Sequence, residues 1–261
     1  MKKFFYLFAV LALVSLSACN DNDETVNKQT SRMTINNRAV DGDNVVFSQG
    51  IAKVELDYTN MLVQFTTDYK DINGQSHTIT TPQMKLNLQG ATVYKFDVAG
   101  SGDFTGIEQL TGYIDFATGA MWYSFEEGSA KVYSSTHLLY NYTTTMVTNP
   151  DNNNHFSHDQ SAYMFALNAK GDTCTMTISN FIPNMSGSVQ AGQIQFSNLT
   201  VTPTTTGYTI TADEAESSYR GFYTITDLDI ELDTQGLIIG GSFKCSDLDF
   251  TLDGRMFPLT K

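Results

Sequence analysis

Tyr113-Ile114-Asp115-Phe116, then Ala117-Thr118-Gly119, then Met121-Trp122-Tyr123-Ser124-Phe125: this run decides the fold. An aromatic and apolar segment stops at a short turn ending in glycine, and a second segment of the same kind returns. Aromatic and β-branched side chains suit a pleated surface, and glycine supplies turn conformations that other residues resist. The run therefore predicts a hairpin. Outward from it, Val54, Leu56 and Tyr58 alternate with polar residues, as do Met84, Leu86 and Leu88, and Phe96 with Val98. Period-two alternation marks half-buried strands. Leu62–Tyr69 and Ser76–Thr80 flank Asp71-Ile72-Asn73-Gly74, where Asn-Gly is a strong hairpin signal. Residues 132–147 add one or two more strands. No segment after residue 32 keeps a helical period, so the mature body is expected to be all-β.

The pattern occurs twice. Residues 53–61 match 173–181, so that Asn60 aligns with Asn180. Met84–Leu88 matches Leu199–Val201, and Tyr94 matches Tyr208. Ile114–Gly119 matches Ile230–Gly236. The offsets are 120, 114, 116 and 117, in the same order along the chain. The expectation is two tandem antiparallel β-barrel-like or curled-sheet domains of the same topology, over 33–149 and 161–261. Residues 150–160, rich in Asn and Asp, read as a linker.

The start of the chain carries a different signal. Lys2 and Lys3 precede an apolar run, Phe4–Leu16, which is too short for a membrane span of ~20 residues and suits a signal-peptide core. It closes in Leu16-Ser17-Ala18-Cys19, which resembles the lipobox of bacterial lipoproteins. That resemblance implies a signal peptide over 1–18, cleavage before Cys19, acylation of Cys19 and a flexible tether over 19–32. Asn20-Asp21-Asn22-Asp23-Glu24 follows, an acidic run that resembles the signal for display on the outer face of the outer membrane in some Gram-negative anaerobes. It reads equally as a solvated tether. The expected partner is the membrane, reached through the N-terminal lipid.

The net charge of −13 becomes −15 once the leader, with two lysines and no acid, is removed. Such a surface repels nucleic acid and anionic lipid, so nucleic acid is not an expected partner. Charged residues make up only 16 %, below the ~25 % of average globular proteins, in keeping with a strand- and turn-rich chain. The block Ile178-Ser179-Asn180-Phe181, then Gly192–Thr202, then Gly207-Tyr208-Thr209-Ile210 resembles the calycin-like (lipocalin-like) domain of exported lipoproteins. The resemblance implies a barrel or strongly curled sheet with ligand space inside.

Chemical motifs are sparse. The sequence has no nucleophile elbow, phosphate loop or His-Glu-x-x-His, so the chain reads as non-catalytic and without a cofactor. His155 and His158 fall in the expected linker. Asp227, Asp229, Glu231, Asp247 and Asp249 alternate with apolar residues on two strands. On one outer face they would form a candidate calcium set, since calcium takes 6–8 oxygen ligands. The competing reading is that outward charges keep strands soluble and deter edge pairing. Cys174 and Cys245 both sit in step with inward apolar residues and either pair as a disulfide or remain two buried thiols. Trp122, Tyr123, Tyr133 and Tyr140 offer an aromatic surface in the first copy only, fitting a small hydrophobic ligand, a glycan or plain core packing. The leading expectation is a lipid-anchored binding or structural protein, with a glycan-binding accessory role second and a surface hydrolase third.

Overall fold

The computed structural model describes residues 27–98, 107–159, 161–185, 191–218 and 223–254. The leader, Cys19 and the tether as far as residue 26 lie outside them. Among the described residues every element is a strand. The first ten are β1 (Lys28–Asp41), β2 (Asn44–Asp57), β3 (Leu62–Lys70), β4 (Ser76–Thr80), β5 (Met84–Lys85), β6 (Asn87–Leu88), β7 (Val93–Asp97), β8 (Glu108–Asp115), β9 (Met121–Glu127) and β10 (Ala130–Thr136). The rest are β11 (Leu138–Tyr142), β12 (Thr144–Thr148), β13 (His155–His158), β14 (Ala162–Leu167), β15 (Thr173–Ser179), β16 (Ile194–Pro203), β17 (Tyr208–Glu216), β18 (Thr224–Leu232), β19 (Ile238–Cys245) and β20 (Leu248–Asp253).

Two antiparallel curled sheets result. In the first, hairpins carry the chain β1-β2-β3-β4 and β6-β7-β8-β9-β10, and β10 pairs back onto β1. The remaining edge is joined by residues 84–88. Met84 and Lys85 pair with β3, the Leu86 amide donates to the Met61 carbonyl at 2.8 Å, and Asn87 and Leu88 pair with β7. The hydrogen-bonded path thus returns to its start as an eight-strand up-and-down ring, with β4–β6 as one interrupted strand. The second sheet repeats this. β11 and β12, separated by Thr143, form one interrupted strand that pairs with β14 at its start and β20 at its end. β13 and β14 form the next, and β15–β20 complete eight.

Three of the four repeat landmarks fall at equivalent places. Met84–Leu88 and Leu199–Val201 lie on the fourth strand of each ring, Tyr94 and Tyr208 on the fifth, and Gly119 and Gly236 in the turn after the sixth. Those turns share a device. Asp115 Oδ1 accepts the Ala117 amide at 2.9 Å, Asp233 Oδ1 accepts those of Gln235 and Leu237 at 2.8 and 2.9 Å, and both glycines have positive φ. The fourth landmark slips by one strand. Asn60 follows the second strand of its ring, whereas Asn180 follows the third, because alternation alone cannot number strands.

The domain limits also differ from expectation. β11 and β12 lie before residue 149, yet they belong to the second ring, which begins at 138. The expected linker contains β13, and Arg32 and its four predecessors, expected in the tether, are in β1, paired residue by residue with β2. Strand alternation looks the same whichever sheet a segment joins, so the sheet boundary was not visible in it.

Each ring is filled by side chains. Phe65, Phe96, Phe125, Ile35, Val54 and Val132 pack inside the first, and Phe165, Phe196, Phe243, Phe250, Ile210 and Ile230 inside the second. Ring pairs interlock these cores: Phe65–Tyr123 at 4.8 Å, Tyr69–Phe125 at 5.1 Å and Phe243–Phe250 at 4.7 Å between centroids. Each such residue contributes ~1.5–3 kcal/mol on burial. The first interior also holds a satisfied polar group. Asn37 accepts from Ser134 Oγ at 2.7 Å and donates to the Asp68 carbonyl at 3.0 Å, and Tyr123 donates to Thr67 Oγ1 at 3.1 Å.

Candidate functional site

Because strands alternate in direction, the turns 168–172, 204–207 and 233–237 and the start of β11 gather at one end of the second ring. The outer wall of the first ring, from β9, β10, β1 and β2, lies against that end. Arg38 is the centre of the contact. Its neighbours Asn37 and Ala39 face the first interior, so Arg38 faces out, and it is wholly buried. Its Nη1 donates to the carbonyls of Thr204 at 2.6 Å and Gly207 at 2.5 Å. Its guanidinium lies 5.2 Å from the Tyr133 ring and 5.0 Å from the Tyr208 ring. Burial pulls its pKa below the usual value, against the favourable fields of Tyr208, Tyr133 and Asp233. Burial also pushes the Asp233 carboxyl up, opposed by the turn amides of Leu237 and Gln235 and then by Arg38.

Beside it, Gln49 Nε2 reaches Asn36 Oδ1 and His137 Nδ1, each at 3.0 Å, and the Leu167 carbonyl at 3.4 Å. Phe47 meets the edge of Tyr208 at 6.4 Å and lies over Gly171. Gly171 has φ +72°, and a Cβ there would come within 2.4 Å of the Phe47 ring. Glycine is required twice over at that position, once by the backbone and once by the neighbour. Phe47 and Arg38 thus stop the end of the second ring.

Where the wall meets the turn 233–237, a cleft opens beside Trp122. It is lined by Met121, Trp122, Ser135, Leu138, Leu139 and Leu237 among others. Its enclosed space is about 30 Å³, the room of a single water, and it widens directly to solvent. This is a shelf and not a calyx. Trp122 and Tyr113 sit opposite each other on β9 and β8 and stack at 5.6 Å with their planes 25° apart. The indole Nε1 is buried and has no acceptor among protein atoms.

The structure separates the four aromatic candidates. Trp122 lines the shelf. Tyr123, its neighbour, points into the first ring, and burial pushes its hydroxyl up to about 12. Tyr133 is occupied by Arg38 and by Lys131, whose Nζ is 5.4 Å from the ring centroid. Tyr140 is in β11, and its side chain lies outside the described residues. Tyr113 was not anticipated. The hairpin register that places it beside Trp122 was within reach of the sequence, since both residues flank the same turn.

The candidate calcium set is not assembled. β18 and β20 are separated by β19, and Lys244 of β19 stands between their acids, 2.7 Å from Asp227 and paired in register with Asp249. A bulge between Thr226 and Asp229 further breaks the row. Asp227, Asp229, Glu231 and Asp247 are exposed, and among the described residues no three acids, histidines or cysteines group as a metal site. The outward-charge reading accounts for them. Cys174 and Cys245 are both free and buried. They sit on β15 and β19, three intervening strands apart in either direction round the ring, so closure does not make them neighbours. Burial pushes Cys174 up to about 12 and Cys245 upward as well.

No family model matches the chain, and no curated protein matches it. Its site must therefore be argued from its own residues. The histidines add no reactive constellation. His137 belongs to the latch at the seam, and His155 and His158 lie on β13, where burial lowers the pKa of His158. His77 pairs with Asp71 at 3.0 Å and stacks on Tyr69.

Proposed function

We propose that this chain is a non-catalytic, lipid-anchored binding protein of the outer membrane, built from two calycin-like barrels, whose ligand is a glycan held outside them. The carrying observation is a contrast. Both interiors are packed with side chains, while the stacked pair Trp122–Tyr113 lies outside them, part-exposed at the seam. A sugar ring offers C–H bonds to an aromatic face and hydroxyls to polar groups on its rim such as Thr118. Ser135, Thr136 and Gln235 around the shelf supply further hydroxyl and amide groups. A small hydrophobic ligand inside a barrel would have to displace a close-packed core, which typically costs several kcal/mol per large side chain. The lipid anchor is supported by the lipobox-like Leu16–Cys19, and the calycin-like reading by the eight-strand up-and-down order of each ring.

The test uses the fact that Trp122 is the only tryptophan. Titration with soluble oligosaccharides should shift its emission, and Tyr113→Ala should weaken binding by about 2- to 12-fold, the equivalent of ~0.5–1.5 kcal/mol. An oligosaccharide that raises the melting temperature but leaves Trp122 emission unchanged moves the site elsewhere. A chain that binds a fatty acid and no oligosaccharide returns the ligand to the hydrophobic class.

A further inference from the structure

The two ends of the first ring differ in chemistry. One end gathers the start of β1, the turn 58–61, the turn 89–92 and the turn 116–120. It carries Tyr58, Met61, Tyr94 and Phe116, all partly exposed over the core, and Leu88, 59 % exposed. Phe116 joins the group, 5.5 Å from Tyr58 and 4.6 Å from Tyr94 between ring centroids. The acids of these turns are turned inward. Asp57 accepts the amides of Thr59 and Asn60 at 3.0 and 2.9 Å, and Asp115 accepts from Thr92 Oγ1 at 2.6 Å and from Thr118 Oγ1 at 2.8 Å. The exposed charges here are Lys28 and Lys85. The opposite end carries Asp41, Asp43, Asp68, Glu108, Glu126 and Glu127.

The chain emerges at the aromatic end. Asn27 is tied to its rim, its carbonyl accepting the Tyr58 amide at 3.1 Å. Only seven residues lie between Cys19 and Asn27, and the eight steps reach at most about 28 Å at ~3.5 Å each. An anchor at Cys19 therefore tethers the first ring to the bilayer by this end.

We infer that this end is a membrane-resting face, seating Tyr58, Tyr94, Phe116, Met61 and Leu88 in the headgroup layer of the bilayer that holds the Cys19 lipid. The inference rests on the lipid-anchor reading above. Aromatic side chains with an apolar body and a polar tip favour that layer, and Lys28 and Lys85 meet lipid phosphates. The acidic end is then held away from an anionic surface, and Asp21, Asp23 and Glu24 of the tether are the acids that remain near the contact.

The full-length lipoprotein, reconstituted in phosphatidylethanolamine–phosphatidylglycerol vesicles with bromine-labelled acyl chains, tests this. Single-tryptophan variants Trp122→Phe with Tyr94→Trp, or Trp122→Phe with Phe116→Trp, should lose emission to bromine. Trp122→Phe with Asn73→Trp, at the acidic end, should keep it. The wild-type chain provides a check free of substitution: amide exchange over 58–61, 88–94 and 116–120 should slow on vesicles relative to the same protein in detergent. If the variants float with the vesicles and none is quenched, and exchange does not change, the resting face is wrong and the anchor stands. If the wild-type lipoprotein does not float, the anchor reading falls and this inference with it.

Discussion

Gly171→Ala tests the seam between the barrels with an internal control. Gly171 and Gly119 have nearly equal φ, +72° and +73°, but a Cβ at 119 meets nothing within 4 Å, whereas at 171 it meets the Phe47 ring at 2.4 Å. Alanine in the left-handed region costs about 1 kcal/mol at either site. At 171 there is a second cost. The Phe47 ring must leave Tyr208 and Gly171, and overpacking of this kind costs ~1–3 kcal/mol. Gly119→Ala should therefore destabilise by about 1 kcal/mol, and Gly171→Ala by ~2–4 kcal/mol. In a Phe47→Ala background the ring is gone, and Gly171→Ala should fall back to the ~1 kcal/mol of the Gly119 control. Urea unfolding of the four chains, read as midpoint shifts at constant slope, gives the coupling directly. If Gly171→Ala costs the same with and without Phe47, the ring does not sit on Gly171, and the packing of wall against end is refuted.

Three further outcomes are expected. Cys19→Ala should release the body from membranes into the soluble fraction; a substituted chain that still pellets after a high-salt wash refutes the anchor. Alkaline pH should weaken the fold through the buried thiols and phenols. Cys174, Tyr123 and Tyr208 are raised by burial to about 12, so their contribution is intact below their unfolded values near 9 and 10 and is lost as pH climbs from there to about 12. Each unit of displacement is worth about 1.4 kcal/mol, so the melting temperature should fall steadily above pH ~9. Both thiols should resist a thiol reagent at pH 8 in the native chain and react as two per chain when it is denatured without reductant. A melting temperature flat to pH 12, or a native thiol that reacts rapidly, contradicts the burial.

Local chemistry was legible and long-range chemistry was not. Asp115 with Gly119 and Asp233 with Gly236 announce their turns because the side chain that accepts the turn amides is a neighbour in sequence. Tyr94 and Tyr208 mark the same strand of each ring for the same reason: strand length and turn length between them are preserved. The slip of Asn60 against Asn180 shows the limit, since one hairpin looks much like the next. So does the assignment of β11–β13, whose alternation fits either sheet. The seam was invisible. Arg38, Phe47 and Gln49 occupy outward positions where a polar or isolated aromatic residue reads as ordinary surface, and their partners in the second ring, Leu167, Gly171, Thr204, Gly207 and Tyr208, lie more than a hundred residues away. Trp122 was found as a candidate because it belongs to an aromatic group that the second copy lacks, while its partner Tyr113 needed the register of the hairpin.

Ring closure bears on life at high surface density. A lipidated chain is concentrated in two dimensions, where strands with unpaired N–H and C=O groups would find one another and polymerise. Closed rings withhold those groups along most of their circumference, although in the second ring β11 pairs only with β14 and β13 only with β12 among the described residues. The first is joined only through residues 84–88, which leaves β4 bonded on one flank among the described residues. Strand exchange between neighbouring copies, if it is ever driven by heat or partial unfolding, should start at such singly bonded flanks.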